Sequence, residues 1–530
     1  MPILQWIGKE KVVNHHLEVP CHVLSRTYSF DEEGQKEKDN GSENMVIHGD
    51  NLLALKSLLP KYEGRVKCIY IDPPYNTGNE GWVYNDAVND PVIKRWLGEV
   101  VGKEGEDLSR HDKWLCMMYP RLRLLQRLLS DDGAIFISID TTELSNLMQI
   151  ANEIFGEINF VDCISWLKKA SPSNDAKYFS NDIEYIIVYA KNKVEWHINR
   201  LPLTEKQLKN YKNPDNDPRG AWNSATYTCN KSKDERPSLY YPIVNPNTGK
   251  EVYPKETAVW AYSKEQYKKH VEHNLLYWGA TGKAQYPRFK KFLSGHQGVV
   301  NRTLWHYDDV NHTQGASLEL KAIGIDKFDT PKPTRLIQRI LQIATDKDSI
   351  ILDSFAGSGT TAHAVLKQNA EDGGNRKFIL IEMGDYADSI TAERVKRVIH
   401  GYGEGKKAVS GTGGDFSFYE LGAPLMKDGF LNEDASEKAI RDYVYFMDTR
   451  ENHAQEKADE PYFLGTHQGA AYYFYYKKGE ATVLSYDFLA TVKTEAESYV
   501  MYADSCLLSA EELSMYHITF KKIPRDIARL

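Results

Sequence analysis

The 530-residue sequence predicts an α/β fold: a mostly parallel, helix-covered sheet, interrupted by an inserted module and followed by a small α/β appendage. Three observations carry this. Apolar runs of strand length, several of them ending in Asp or Glu, alternate with helix-period stretches through two separated parts of the chain. Between those parts lies a basic, aromatic stretch of weak periodicity. After Ser410-Gly411-Thr412-Gly413-Gly414, short strand-like runs resume.

The elements follow in order. Residues 1–44 read as an N-terminal arm and linker, with Ser29 to Asn44 polar and flexible. Met45 to His48 is a short apolar run stopped by Gly49-Asp50, and Asp50 or Asn51 caps a helix from Leu52 to Leu59. Val66 to Ile71 is a buried strand ending at Asp72. His111 to Leu129 is helical, with Pro120 expected to kink or divide it. Ala134 to Asp140 and Ile183 to Tyr189 are strands, and Leu144, Leu147, Ile150 and Ile154 mark the helix between them. The first sheet-forming part thus spans 45–193. From 194 to 312 the pattern becomes Asn-, Pro-, Gly-, Lys- and aromatic-rich, a separate module in which more than half of the aromatics are expected to pack as core. The rhythm returns over 313–408: helix Thr334 to Ala344, strand Ser349 to Asp353, helix Thr360 to Gln368, strand Phe378 to Glu382, helix Ile390 to Ile399. The appendage is 416–530.

Net charge is −8, which alone argues against a nucleic-acid partner, but its distribution argues the other way. Ser165 to Val300 carries 22 Lys+Arg against 13 Asp+Glu, net +9, leaving −17 for the remainder. Phosphate neutralisation is local, so a basic middle between acidic flanks suits a DNA-contacting insert. The six scattered cysteines contain no CxxC pair, which argues against a disulfide framework or a zinc site; no metal is expected, and a reducing cytoplasm is. No apolar run approaches bilayer-spanning length, so no membrane partner is expected.

Two motifs carry chemistry. In Asp353-Ser354-Phe355-Ala356-Gly357-Ser358-Gly359-Thr360-Thr361, a strand ends in a glycine turn and enters a helix. Such a turn admits a cofactor close to the backbone. It is neither a phosphate-binding loop, since no Gly-Lys-Ser/Thr follows, nor a full dinucleotide fingerprint. Glu382 ends the next strand, where a ribose-binding carboxylate stands in a Rossmann-like unit. In Asp72-Pro73-Pro74-Tyr75, two prolines after a strand fix an extended corner and remove backbone donors. The Asp72 carboxylate and Pro73 carbonyl remain as acceptors beside an aromatic face. Two converging acceptors suit an exocyclic amine, and Tyr75 suits stacking on a base taken out of a helix.

On these residues the chain resembles the amino-methyltransferases of DNA, in the β arrangement that places DPPY before FxGxG. Ile47 to Leu52, Tyr70 to Gly78, Asn213 to Gly220, Glu184 to Lys191 and Phe328 to Pro333 resemble the modification (Mod) subunits of type III restriction-modification systems. The similarity covers roughly residues 1 to 400. It implies a Rossmann-like S-adenosylmethionine-dependent methyltransferase sheet with circularly permuted motif order and an inserted target-recognition domain. It implies that Asp72, Pro73, Pro74 and Tyr75 bind and activate an adenine. Asp353, Phe355, Ala356, Gly357, Gly359 and Thr360 would contact S-adenosylmethionine, Glu382 its ribose and Asp50 its adenine. Thr330, Lys332 and Pro333 would close that pocket. A homodimer and a restriction (Res) helicase-nuclease partner are implied by resemblance alone. In the module, Arg219, Lys231, Lys233, Arg236, Arg288, Lys290 and Lys291 are candidate contacts to double-stranded DNA. Two alternatives stand: methylation of the cytosine N4 amine, and a DNA-binding specificity subunit with weak or no catalysis.

Overall fold

The computed structural model describes residues 3–77, 108–172, 177–427, 429–450 and 456–524; Gly78 and the other expected positions outside these ranges are not described. The described residues cluster into two compact units, Met1–Asn199 with Arg302–Leu530, and Arg200–Asn301.

The first unit is built on one eleven-stranded sheet. Its strands are β1 (His22–Asp31), β2 (Gly34–Lys36), β3 (Met45–His48), β4 (Val66–Ile71), β5 (Leu129–Ile139), β6 (Phe160–Leu167), β7 (Ile183–Ala190), β8 (Leu304–Trp305), β9 (Ile350–Asp353), β10 (Lys377–Glu382) and β11 (Phe416–Pro424). Their spatial order is β8-β6-β7-β5-β4-β9-β10-β3-β11-β1-β2. From β5 to β11 the neighbours run parallel. β7 runs antiparallel to both β5 and β6. The fold is therefore α/β, with a Rossmann-like sheet. β9 sits between β4 and β10 although most of 300 residues separate it from β4 in the chain. Winding reverses at the β4–β9 pair, and open α/β sheets bind ligands at the carboxyl ends of such strands.

Burial explains the strands. Ile69 and Ile71 of β4, Ile135, Ile137 and Ile139 of β5, and Leu352 of β9 are wholly buried. Each such side chain contributes about 1.5–3 kcal/mol on leaving water. The first unit's described helices of eight residues or more are α1 (Asn51–Tyr62), α2 (Leu108–Leu128), α3 (Leu144–Phe155), α4 (Thr313–Ile323), α5 (Thr334–Ala344), α6 (Thr360–Asp372), α7 (Glu393–His400) and α8 (Glu437–Thr449). A π-helical turn, Ala387–Ala392, leads into α7. Pro120 lies inside one continuous α2, neither dividing nor ending it, because Trp114, Tyr119, Leu122 and Leu124 bury the helix on several sides. No helix among the described residues is long and apolar enough to cross a membrane.

Three expected boundaries differ. Residues 1–44 are not an arm and flexible linker: β1 pairs with β11 and turns into β2, and Tyr28, Ser29 and Phe30 are buried. Phe416–Pro424 is not part of an appendage, since β11 joins the sheet beside β3. The insert is narrower than 194–312. Asn199 donates to the Ile343 carbonyl at 2.8 Å, and β8 pairs with β6, so both flanks belong with the sheet. Past β11, α8 and a four-stranded sheet (Phe463–His467, Ala470–Phe474, Ser498–Ala503, Ile518–Lys522) form the last α/β layer.

The second unit carries a three-stranded antiparallel sheet of Trp222–Thr226, Arg288–Phe292 and Leu276–Tyr277. Tyr227, Tyr241, Trp260 and Trp278 form its core with Ile243 and Leu276.

Candidate active site

At the carboxyl end of β4 the chain leaves the sheet through Asp72-Pro73-Pro74-Tyr75. The Trp114 indole donates to the Pro74 carbonyl at 2.7 Å and fixes the corner against α2. The Tyr75 hydroxyl donates to one Asp72 oxygen at 2.7 Å, and the Lys332 ammonium donates to the other at 2.6 Å. A second carboxylate completes the cluster. Glu184, at the start of β7, accepts from the Tyr75 hydroxyl at 3.1 Å, lies 3.5 Å from the Lys332 nitrogen, and accepts from Lys168 at 2.9 Å. Lys332 also sits over the Tyr75 ring, 5.1 Å from its centroid. Two carboxylates and two ammonium groups thus balance in charge.

Burial pushes the Asp72 carboxyl above its ordinary value, and the neighbouring Lys332 only partly offsets this. Glu184 is shifted the other way: burial raises it, but Lys332 and Lys168 together hold it below the usual carboxylate range. Burial lowers the Lys332 ammonium, yet Asp72 and Glu184 outweigh that and hold it above the usual lysine value.

Beside β4, β9 ends at Asp353 and the glycine turn begins. The Asp353 carboxylate accepts from the Phe355 amide at 3.0 Å and from the Thr361 hydroxyl at 2.5 Å, tying both ends of the turn to the strand. Burial pushes its carboxyl up to about 7. Gly357 and Gly359 have φ of 52° and 78°, the left-handed region that favours glycine. At Gly359 a Cβ would stand 2.8 Å from the Thr391 carbonyl oxygen, so the turn and the π-helical segment approach too closely for a side chain. Glu382, ending β10, accepts from the Gly357 amide at 2.7 Å and the Gly384 amide at 2.9 Å.

Asp72, Lys332, Asp353, Phe355, Gly357 and Glu382 line one cavity of about 200 Å³. Thr330, Ala356, Thr360, Phe328 and Tyr386 line it too. Thr330 holds a φ of 48°, unusual for a β-branched residue. Gly359 closes the turn behind this lining.

Three expected roles are displaced. The Asp50 carboxylate caps α1 by accepting from the Leu52 and Leu53 amides, and it is not among the lining residues. Pro333 is buried as the N-cap of α5 and does not line the cavity either. Gly359, expected to contact the cofactor, is not among the lining residues either, whereas Lys332 lines the cavity with its ammonium on Asp72 and Glu184. Sequence reasoning named no role for Glu184 or Lys168; a carboxylate inside the apolar run Ile183 to Tyr189 was the available signal. It also missed Arg394, wholly buried, which donates to Ser358 at 3.0 Å, Thr360 at 2.7 Å and Thr334 at 3.1 Å behind the turn. Burial lowers that guanidinium to about 10.

In the second unit the seven basic candidates divide. Lys290 is buried, with its ammonium 2.5 Å from Asp215 and 2.9 Å from Asp217, which removes it from direct phosphate contact. Arg219 forks onto Asp217 at 2.8 and 2.7 Å and lies over the Phe292 ring, so it too is committed to the fold. Arg288 donates to Ser224 through two nitrogens. Lys231 and Lys233 make surface pairs with Glu235 and Glu256. Arg236 and Lys291 are exposed. The unit carries 17 Lys+Arg against 9 Asp+Glu.

A family model described as DNA methylase matches residues 66–393. The StyLTI Mod subunit of a type III restriction-modification enzyme from Salmonella typhimurium is 38% identical over 391 residues, covering 68% of this chain and 58% of that protein. The EcoPI Mod subunit of Escherichia phage P1 is 32% identical, covering 72% of this chain and 63% of that protein. The chain thus spans about six-tenths of the length of these Mod subunits. The type II methyltransferase M.KpnI of Klebsiella pneumoniae is 32% identical, covering 65% of this chain and 81% of that protein. With most of its two sheet-forming parts matched by the family model and the DPPY corner and glycine turn facing one cavity, this chain belongs to the DNA methylase family.

Proposed function

We propose that the chain transfers a methyl group from S-adenosylmethionine to the N6 amine of an adenine flipped out of double-stranded DNA. It would act as the modification and specificity subunit of a type III-like restriction-modification system. One observation carries this reading: Asp72, an acceptor beside an aromatic face, lines the same cavity as the Gly357 turn and Glu382. The residues fit the cofactor. The left-handed Gly357 brings bare backbone to the cavity wall, and Glu382 presents a carboxylate suited to ribose hydroxyls. Phe328 and Tyr386 offer apolar walls to an adenine ring. S-adenosylmethionine, when bound, supplies an electrophilic methyl carbon, so no covalent enzyme intermediate is required.

The remaining work is alignment by this chain. Asp72 and the Pro73 carbonyl accept the two amine hydrogens and draw the nitrogen lone pair out of the base ring. For the amine to reach Asp72, Lys332 must yield the oxygen it occupies, and Glu184, 3.5 Å from the same ammonium, is placed to keep it. The oxygen so vacated is then the acceptor for the proton the amine gives up. Tyr75, held by Asp72 and Glu184, presents its ring to the base. The Arg200–Asn301 unit, with its basic excess, would read the target sequence. A second copy of the chain and a Res subunit are proposed partners, supported by the likeness to type III Mod subunits.

Modification-sensitive sequencing of DNA from cells expressing the chain tests the reading. N6-methyladenine confined to one short motif is expected; methylcytosine without methyladenine would favour the N4 alternative.

A further inference from the structure

The connection from β6 to β7 carries a feature the site does not absorb. Among the described residues, Phe179 is the most exposed large apolar side chain, at 95%, and its neighbour Tyr178 is 82% exposed. Isolated exposed apolar residues are ordinary, but two adjacent exposed aromatics on one loop mark a contact surface. The loop carries Lys168, Lys169 and Lys177 against Asp175 and Asp182, and the Lys177 ammonium stands over the Tyr178 ring at 5.3 Å.

The loop's place is fixed at its neck. Leu167 pairs with Ile183, and the Lys168 amide donates to the Asp182 carbonyl at 2.8 Å. Tyr185 pairs with Ile139 at the carboxyl end of β5, and Ile137 pairs with Ile71, the residue before Asp72. The loop therefore leaves the sheet at the same end as the DPPY corner, the carboxyl end of β4 and β5. Lys168 ties it there directly, through Glu184, which accepts from the Tyr75 hydroxyl.

We propose that Tyr178 and Phe179 form an aromatic wedge that enters the DNA duplex and fills the stack left by the flipped base. The inference rests on the methyl-transfer reading and deepens it by assigning the surface that stabilises extrusion. A flipped base leaves an unstacked gap, and its extrusion costs the stacking and pairing it had. Apolar side chains placed between base steps recover part of that loss. Lys177, beside the two aromatics, suits a phosphate contact, and base–aromatic stacking tolerates any sequence, so the wedge does not have to read the site.

The test uses the full chain and two duplexes containing the motif that sequencing identifies. One is fully paired; the other carries an abasic site opposite the target adenine, where extrusion costs less. Phe179→Ala, alone and with Tyr178→Ala, is expected to lose about tenfold or more in kcat/KM on the paired duplex. It is expected to regain most of this on the abasic duplex, with S-adenosylmethionine affinity unchanged and Phe179→Trp near wild type. 2-Aminopurine at the target position should brighten less with the variants than with wild type. Equal loss on both duplexes, or no loss on either, overturns the wedge while leaving methyl transfer intact. A wild-type chain that methylates neither duplex overturns both.

Discussion

Replacing Lys332 with methionine keeps the length of the side chain and removes its charge. What remains is Asp72 and Glu184, two carboxylates that had shared one ammonium at 2.6 and 3.5 Å. At an effective dielectric near 20, each contact is worth on the order of 5 kcal/mol before desolvation is subtracted. Breaking a buried pair by removing one partner costs roughly 3–5 kcal/mol, because a buried charge is left uncompensated. The Asp72 side chain is 24% exposed and Lys168 still holds Glu184, so a loss of about 2–3 kcal/mol is expected at pH 8. The sign of the pH dependence follows. Without Lys332 the Asp72 carboxyl, already raised by burial, rises further, and the Glu184 carboxyl rises with it. Their contribution is then fully present below the unfolded pKa and lost as pH rises through the folded one. Urea unfolding of Lys332→Met should show a loss under about 1 kcal/mol at pH 5, growing to the full value at pH 8. Adding Glu184→Gln should recover about half at pH 8. An equal loss at both pH values, or no recovery in the double variant, would mean that Lys332 acts by packing and that the carboxylate cluster is misread.

Other outcomes follow from the same structure. Gly359→Ala must place a Cβ 2.8 Å from the Thr391 carbonyl at a φ of 78°, so S-adenosylmethionine affinity by calorimetry should fall tenfold or more; unchanged affinity would detach this turn from the cofactor. The Asp353 carboxyl, pushed up to about 7, binds its proton more tightly folded than unfolded. The ligand-free chain should therefore lose on the order of a few kcal/mol between pH 4 and 8, and Asp353→Asn should flatten that slope in urea titrations at several pH values. Lys291→Ala and Arg236→Ala should each lower the salt slope of DNA affinity by about 1 in a fluorescence-anisotropy titration. Lys290→Met should instead destabilise the Arg200–Asn301 unit, because Asp215 loses its ammonium and Asp217 keeps only Arg219 as a cationic partner.

The sheet was legible where pattern and burial coincide. β4, β5, β7, β9 and β10 are apolar runs with turn signals at their ends, and periodicity finds such strands well. β1 was not legible because His22 to Asp31 mixes Arg, Ser and Thr with aromatics; it is buried only at Tyr28 to Phe30, towards the end where β2 as well as β11 pairs with it. β11 follows a glycine-rich break that reads as a domain boundary, yet the strand beyond it returns to the sheet. Tertiary pairing decided both, and no local signal records it. In the site, Asp72, Asp353 and Glu382 were legible because they end strands. Glu184 and Arg394 were not, since a charge inside an apolar run or a helix says nothing of the distant partner it meets: Tyr75 lies 109 positions from Glu184, and Thr334 lies 60 from Arg394. Asp50 failed for a related reason: its carboxylate does the local work of capping α1, which sequence cannot separate from ligand contact. Lys290 and Arg219 looked like phosphate ligands until Asp215 and Asp217 were seen to claim them.

The central claim is that Asp72 holds an adenine amine for methylation. The chain and its Asp72→Ala variant, incubated with methyl-labelled S-adenosylmethionine and duplex DNA and followed by mass spectrometry of the nucleosides, test it directly. Labelled N6-methyladenine is expected from the wild type and none from the variant, with S-adenosylmethionine binding retained by both. Label on cytosine N4, or equal methyladenine from Asp72→Ala, would contradict it.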